Sequence, residues 1–242
     1  MKSSYENFID NTENLNSLLT HIEQLGQSPQ YLPIKAITSK SAIVMSCGLF
    51  EKYLKESFME FIEEINSINI PEDYIDKKIW TTNRKNTLDA LKLIDGDKLE
   101  ADYEKVVKIY SAAFQKNEKR NKPLLVKEAF SITRANPGAD TIRNMFSNIG
   151  MSKIFHNSLF VRELGQENIA AIHLDSFIKK RHCIAHGYTG NTVSSIPEVQ
   201  DDIEFLKKCA HTMNEVFDQE IQRIQSYFYE DCFGALESFC KE

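Results

Sequence analysis

Residues 181–188 concentrate several reactive side chains in one short stretch, Arg-His-Cys-Ile-Ala-His-Gly-Tyr. Arg181 carries a permanent cation, and the rigid fork of donors on its guanidinium matches a phosphate group. His186 carries an imidazole, a group that can take or give a proton in catalysis. A fixed cation and a proton-transfer group at this spacing indicate phosphodiester chemistry.

Regular hydrophobic spacing predicts that α-helices carry these side chains. Apolar residues recur every three or four positions in four long segments, 11–25, 38–66, 166–185 and 198–227. Nine glycines and six prolines are few for 242 residues and fall mainly between such segments. The pattern predicts an all-α fold, with shorter helices in the middle of the chain at 88–94, 99–115, 124–130 and 140–149.

The end of the helix that carries the reactive stretch decides whether its groups can meet. An unbroken helix would separate Arg181 and His186, because five steps of about 100° place them about 140° apart. Gly187 stands where a left-handed residue commonly ends a helix. Either the helix ends near Ala185 and swings His186 toward Arg181, or a second copy of the protein completes the site. Both routes predict a site at a helix end or at a dimer interface.

The motif resembles that of a known superfamily. Arg181, four residues, His186, one residue and Tyr188 resemble the R-x4-H-x-Y motif of the HEPN superfamily, the higher eukaryotes and prokaryotes nucleotide-binding domains. His182 occupies a position that is usually polar in this motif. Ile-Ala-His-Gly resembles the end of the motif in bacterial nuclease-like members, such as the MAE-type and RiboL-PSP HEPN groups. Residues 41–58 are similar to the first core helix of the same branch.

This resemblance implies a fold and a function. The fold would be an all-α helical bundle of HEPN type, with its core at about 39–66 and 166–226. Residues 1–242 would form a single HEPN-like domain, in which 1–37 is a lead-in helix and 67–165 a helical insertion. Many HEPN members dimerise and are metal-independent endoribonucleases of toxin–antitoxin or anti-phage defence systems. The implied partners are an RNA substrate, a second copy in a homodimer, and an antitoxin or defence protein, with no cofactor.

Residue roles follow from the resemblance and from the chemistry of metal-free RNA cleavage. The ribose 2′-hydroxyl attacks the adjacent phosphorus, so a base must take its proton and a cation must stabilise the phosphoryl charge. His186 is the expected base or acid, and Arg181 the phosphate clamp. Tyr188 is expected to hold the phosphate or position His186, and His182 to orient Arg181 or the substrate. One histidine cannot easily serve both proton transfers, which favours two motifs facing each other across a dimer.

Further side chains are candidates for supporting parts. Glu51 lies on the helix that packs near the motif in the family, and its carboxylate is a candidate to hold Arg181; a solvent-facing glutamate explains it equally well. Lys179 and Lys180 form a basic patch with Arg181 that suits the RNA backbone, or else a solvated helix end. Cys183 is expected to point into the core.

Two other functions stay open at this point. Asp175, His182 and His186 are seven and four residues apart, which would align them on one face of a continuous helix, and H-x3-H is a common metal-ligand spacing. Gly187 conflicts with the continuous helix that such a site needs. Alternatively the bundle only binds, as a dimerisation module or as the partner of a toxin or defence complex, with Arg181 in a structural salt bridge.

Composition limits the cellular setting. A net charge of −6 argues against a general nucleic-acid coat, which relies on neutralising many phosphates. Five cysteines without a C-x-x-C pair predict reduced thiols rather than a disulfide framework or a zinc ribbon. No apolar run approaches the roughly 20 residues that span a bilayer, and the first residues lack the apolar core of a signal peptide. We expect a cytoplasmic protein without membrane association.

Overall fold

The computed structural model describes residues 2–26, 28–68, 72–92, 125–130, 136–165, 167–187 and 194–239. Within these ranges the chain forms seven α-helices, α1 (Lys2–Glu23), α2 (Leu32–Ser67), α3 (Lys77–Lys92), α4 (Ala139–Asn148), α5 (Ser158–Leu164), α6 (Glu167–Ala185) and α7 (Ile196–Phe239). Short 3-10 segments lie at Pro29–Tyr31, Glu72–Tyr74, Lys127–Phe130 and Ile154–His156. The described residues contain no β-strand, which confirms the predicted all-α class.

Helix α2 is the central element, because it packs against α1, α6 and α7. The spacing predicts one apolar stripe along it, and all but one of its members are buried: Ile43, Cys47, Phe50, Leu54, Phe58, Phe61, Ile62 and Ile65. Val44, which the same spacing includes, is 38% exposed. The helix begins at Leu32 rather than at residue 38. Pro33 is tolerated there because an N–H in the first helical turn has no helical partner to lose.

An aromatic cluster joins α2, α4 and α7. Phe217 stacks on Phe146 with ring centroids 5.2 Å apart and meets Phe58 edge-on at 5.0 Å. Phe61 packs on the same ring, also with centroids 5.0 Å apart. All four side chains are buried. Aromatic pairs of this kind add about 0.5–1.5 kcal/mol each beyond their burial, so the cluster fixes α7 against α2.

Polar side chains of α2 secure two neighbouring segments. Glu60 accepts hydrogen bonds from Ser4 N at 2.9 Å and from Ser4 Oγ at 2.8 Å. Its carboxylate therefore covers the first turn of α1, where the helix dipole favours a negative charge. Asn66 exchanges two hydrogen bonds with the backbone of Leu125, at 2.8 and 3.0 Å. The segment that begins at Leu125 is thereby tied to α2.

Helix α3 shows where hydrophobic periodicity fails as a signal. We predicted a helix at 88–94, but α3 begins at Lys77. Its buried face carries Thr82, Asn83 and Thr87, so polar residues occupy positions that the pattern expects to be apolar. Asn83 is satisfied there because its Oδ1 accepts a hydrogen bond from the backbone of the 125–130 segment at 2.8 Å.

Other boundaries also differ from the sequence pattern. The predicted helix at 124–130 is wrong, because the described part of it forms only the 3-10 turn Lys127–Phe130. Helix α5 has seven residues, too few for a periodic signal, and was not predicted. Helix α7 runs to Phe239 instead of residue 227. The predicted helix at 99–115 lies outside the described residues.

The described residues between α2 and α6 share the hydrophobic core of the long helices. Ile79, Phe130, Phe146 and Phe160 belong to one continuous buried cluster with residues of α2 and α7. None of the described helices combines the length and the apolar character that crossing a membrane requires.

Phe217→Ala is expected to lower the free energy of unfolding by about 3–5 kcal/mol, because it removes buried aromatic surface and leaves a cavity among three rings. Urea denaturation followed by circular dichroism measures this change. Tyr229→Ala, at an exposed aromatic of the same helix, is the matched control and should change that free energy by less than about 0.5 kcal/mol. Equal effects of the two substitutions would contradict the central place of the cluster.

Candidate functional site

Helix α6 carries the reactive stretch at its carboxyl end. It spans Glu167–Ala185, close to the predicted 166–185. The backbone N–H of His186 still donates to the His182 carbonyl at 3.1 Å, as in a regular helix. Gly187 then adopts a φ of 64°, the left-handed conformation that ends many helices. The helical register is therefore kept through His186.

Two imidazoles lie side by side at this helix end. The ring centroids of His182 and His186 are 4.2 Å apart, and the rings are tilted by 52°. Both residues are exposed. Their spacing of four residues places them on one face of α6. Together they form a histidine pair that a substrate can reach from solvent.

Arg181 lies on another side of α6. Because the helix stays regular to His186, the two side chains keep the separation of about 140°. The predicted break of the helix, which would bring His186 toward Arg181, is therefore absent from α6. Arg181 is half-buried, and α6 packs on α2, whose Cys47 thiol lies within range of the Arg181 charge. Burial raises the pKa of the Cys47 thiol to about 11, although the Arg181 charge acts to lower it.

Glu51 lies in the same region, since its charge and that of Arg181 both act on the Cys47 thiol. Its carboxylate accepts a hydrogen bond from Lys55 Nζ at 2.7 Å, one turn along α2. Of the two alternatives for Glu51, the contact that would hold Arg181 is not formed among the described residues. Among the described residues, Arg181 has no ion pair or side-chain hydrogen bond.

The two lysines that precede Arg181 have different surroundings. Lys180 Nζ donates to Asp202 Oδ2 at 2.6 Å, and Asp202 Oδ1 lies 3.3 Å from His173 Nε2. Asp202 is on α7 and is 3% exposed, so this ion pair ties α6 to α7 across a buried contact. Lys179 is exposed and has no such partner in the described chain. Of the two predicted RNA contacts, only Lys179 has an ammonium group open to a phosphate.

Asp202 is the residue of this region that sequence reasoning missed. It directly precedes the buried Ile203 and stands three residues after Val199 and four before Leu206, on the apolar side of α7. A carboxylate at such a position is rarely buried without a partner. An aspartate on the apolar side of a helix could therefore have predicted a buried ion pair. The sequence did not indicate that Lys180 is the partner.

The remaining candidates have varied outcomes. Tyr188 lies outside the described residues. Cys183 is half-buried and unbridged rather than fully inside the core. Asp175 accepts a hydrogen bond from the backbone N–H of Ala139 at 2.9 Å, so its carboxylate caps α4.

The metal-site alternative is not supported by this geometry. It required Asp175, His182 and His186 to converge, but the Asp175 carboxylate is directed to the start of α4. Within the ranges that the structure describes, no three histidine, cysteine, aspartate or glutamate side chains are grouped to hold a metal ion.

The chain that leaves the motif returns to the first half of α2. Ser195, just before α7, lines one pocket together with Ser39 of α2. The start of α7 therefore lies near the first half of α2, and α6 also packs on α2.

The family comparison spans most of the chain. The model of the family RiboL-PSP-HEPN matches residues 6–219. No curated protein matches the chain, and no solved structure does. HEPN domains are often ribonucleases, so the match supports a nuclease or other RNA-related role. The extent of the match, together with the all-α fold, shows that the chain belongs to the RiboL-PSP-HEPN family of the HEPN superfamily.

Proposed function

We propose that this chain is a metal-independent endoribonuclease whose site lies at the carboxyl end of α6. The observation that carries the proposal is the exposed pair His182 and His186, at the end of the helix that also carries Arg181, an arginine with no ion pair in the described chain. Arg181 is the phosphate clamp, and His186 is the group that transfers the proton. Membership of the RiboL-PSP-HEPN family supports an RNA substrate.

The reaction needs two proton transfers and one stabilised charge. The ribose 2′-hydroxyl loses its proton to a base and attacks phosphorus, while an acid protonates the leaving 5′-oxygen. The products are a 2′,3′-cyclic phosphate and a free 5′-hydroxyl. Arg181 stabilises the negative charge that develops on the phosphoryl oxygens.

The arrangement of the histidines favours a site built from two copies. In an in-line displacement the attacking and leaving oxygens lie on opposite sides of phosphorus. His182 and His186 lie on one helix face, with rings 4.2 Å apart, and so approach phosphorus from one side. His186 of a second copy therefore supplies the opposite transfer. The separation of about 140° between Arg181 and His186 within one helix favours the same arrangement.

The other side chains take supporting parts in this proposal. His182 positions His186, since the two rings are in contact. Lys179 binds the RNA backbone, whereas Lys180 holds α6 through Asp202. Tyr188, two residues beyond His186, holds the phosphate.

The cellular role that we propose is a toxin–antitoxin or anti-phage system. RNA cleavage by an unrestrained enzyme would stop growth, so a dedicated antitoxin or defence partner would have to control it. Expression in a bacterial host under a tight promoter tests this part: growth arrest should require both Arg181 and His186.

His186→Ala is expected to lower the cleavage rate by roughly 10²–10⁴-fold, because it removes the proton-transfer group. Arg181→Ala is expected to lower it by roughly 10²–10³-fold through the loss of charge stabilisation. The measurement incubates purified protein with transfer and messenger RNA in excess chelator and maps the new ends. His211→Ala, at an exposed histidine of α7 that contacts Tyr5, is the matched control and should cleave normally.

Retained cleavage in both motif variants would contradict the assignment, as would cleavage that chelator abolishes. A wild-type chain that dimerises but cleaves none of these RNAs would instead be a binding module. Circular dichroism of each variant checks that the helices are intact.

Mixing wild type with His186→Ala tests whether two copies share one site. If both copies must supply His186, random exchange into two-fold dimers at equal amounts leaves about one quarter of the wild-type activity. If each copy works alone, about one half remains. We expect the activity to follow the square of the wild-type fraction. A linear dependence would exclude the two-copy site.

A further inference from the structure

Helix α3 carries a cationic stripe on its exposed side. Its members Lys77, Lys78, Arg84 and Lys85 are all exposed, as is Thr81 between them. With about 100° per residue, these five positions fall within an arc of about 120° around the helix. The opposite side of α3 is buried, so the four charges face away from the bundle together. We call this surface the α3 basic stripe.

The four cations of the stripe have no acidic partner. Elsewhere in the described chain most lysines and arginines form an ion pair with a carboxylate, as Lys127 does with Glu63 and Lys180 with Asp202. None of the four cations on α3 has an ion pair with a described residue. Their charge is therefore available to a partner from outside the described chain.

The place of the first two lysines on α3 is unfavourable for the isolated helix. Lys77 and Lys78 occupy its first turn, which holds no acidic residue. The amino end of a helix carries a partial positive charge, so cations are disfavoured there. Asp76 Oδ1 accepts a hydrogen bond from the backbone N–H of Lys78 at 2.6 Å, but it forms no ion pair with either ammonium group. A bound anion would offset this unfavourable placement.

The sequence around the stripe is basic although the chain is acidic. Residues 77–124 contain twelve lysines and arginines against seven aspartates and glutamates, a net charge of +5, whereas the whole chain carries −6. Within this stretch, residues 93–124 lie outside the described part and contribute seven cations and six acidic residues. Their net charge is +1, so as a whole they add to the positive charge of the region. Charge asymmetry of this kind indicates a nucleic-acid partner.

The side chains of the stripe favour a phosphate backbone over other anionic partners. Among the described side chains of α3, no large apolar one is exposed. Helices that bind membrane surfaces insert an apolar face, and protein interfaces have an apolar core. A phosphate backbone needs neither, because contacts from lysine and arginine supply most of its sequence-independent affinity.

The spacing within the stripe suits such a backbone. The pair Lys77 and Lys78 lies about 10 Å along the helix from the pair Arg84 and Lys85. One strand of a nucleic-acid helix carries a phosphate about every 3.4 Å, so this distance covers roughly three nucleotides. Each cation pair can therefore contact a different phosphate of one strand.

The α3 basic stripe lies toward the carboxyl end of α2, away from the candidate site. Asn83 of α3 and Asn66 near the end of α2 both bind the backbone of the 125–130 segment. Cys47, the α2 residue within range of the Arg181 charge, is about 28 Å earlier along α2 than Asn66. Roughly eight stacked nucleotides cover this length. The stripe is thus a second surface and not a part of the motif.

We infer that the α3 basic stripe binds the phosphate backbone of RNA, at a surface separate from the carboxyl end of α6. The inference rests on the proposed function only in naming RNA as the nucleic acid. It gives a long RNA a contact that a short one cannot make together with the motif.

Joint replacement of Lys77, Lys78, Arg84 and Lys85 with glutamine is the direct test, because glutamine removes the charges and still favours a helix. Both the variant and its parent also carry His186→Ala, so that the RNA stays intact. Fluorescence anisotropy with a labelled single-stranded RNA measures binding over a series of salt concentrations. At about 0.1 M salt the affinity should fall by about 10–100-fold. The slope of log affinity against log salt should become shallower by about 2–3, since each phosphate contributes about 0.7 on a single strand.

A matched control removes the same charge elsewhere. Lys40, Lys52, Lys153 and Lys208 are exposed lysines outside the stripe, and their joint replacement with glutamine should change the slope by less than about 1. Equal effects of the two four-fold variants, a stripe variant that binds like its parent, or a parent that binds no RNA would each overturn the inference. Competition by polyglutamate as strong as that by unlabelled RNA would also overturn it, in favour of an acidic protein partner.

Cleavage assays separate this surface from the motif. With His186 intact, the stripe variant should cleave RNAs longer than about eight nucleotides with a lower kcat/KM, mainly through a higher KM. It should cleave a dinucleotide like wild type, because a dinucleotide cannot reach both surfaces; an equal loss on both substrates would contradict the inference. RNA that binds through the stripe but is not cleaved by wild type would contradict only the proposed reaction. Cleavage by wild type, with binding unaffected in the stripe variant, would contradict only the stripe.

Discussion

The packing of Phe217 against Phe146 and Phe58 sets the position of α7 on α2 and α4, and the candidate site depends on it. Asp202 lies about four turns earlier on the same helix. There it receives Lys180 of α6, the residue next to the proposed phosphate clamp. The aromatic contact therefore places α7, α7 places the carboxylate, and the carboxylate holds the end of α6. The aromatic contact is rigid because all three of its rings are buried.

Within the described residues Arg181 has no ion pair, and two carboxylates of this region are neutralised by lysines instead. Asp202 is buried, and a buried carboxylate without a cation would be strongly destabilising. Lys180 supplies that cation, and Lys55 does the same for the nearby Glu51. Both carboxylates are thus occupied by lysines, and neither takes the guanidinium. A chain with a net charge of −6 can in this way keep one local cation for a phosphate.

Sequence periodicity predicted the long helices, although Ile169 and Ile172 of the α6 stripe are 57% and 67% exposed. Gly187 correctly marked the end of α6. It failed for α3, where Thr82, Asn83 and Thr87 lie in the buried face and Asn83 accepts a hydrogen bond from the distant 125–130 segment. At the site, Arg181 and His186 stay predictions that rest on their residue types and on the resemblance to the HEPN motif. Which lysine meets Asp202 depends on how α6 and α7 pack, and no local pattern encodes that.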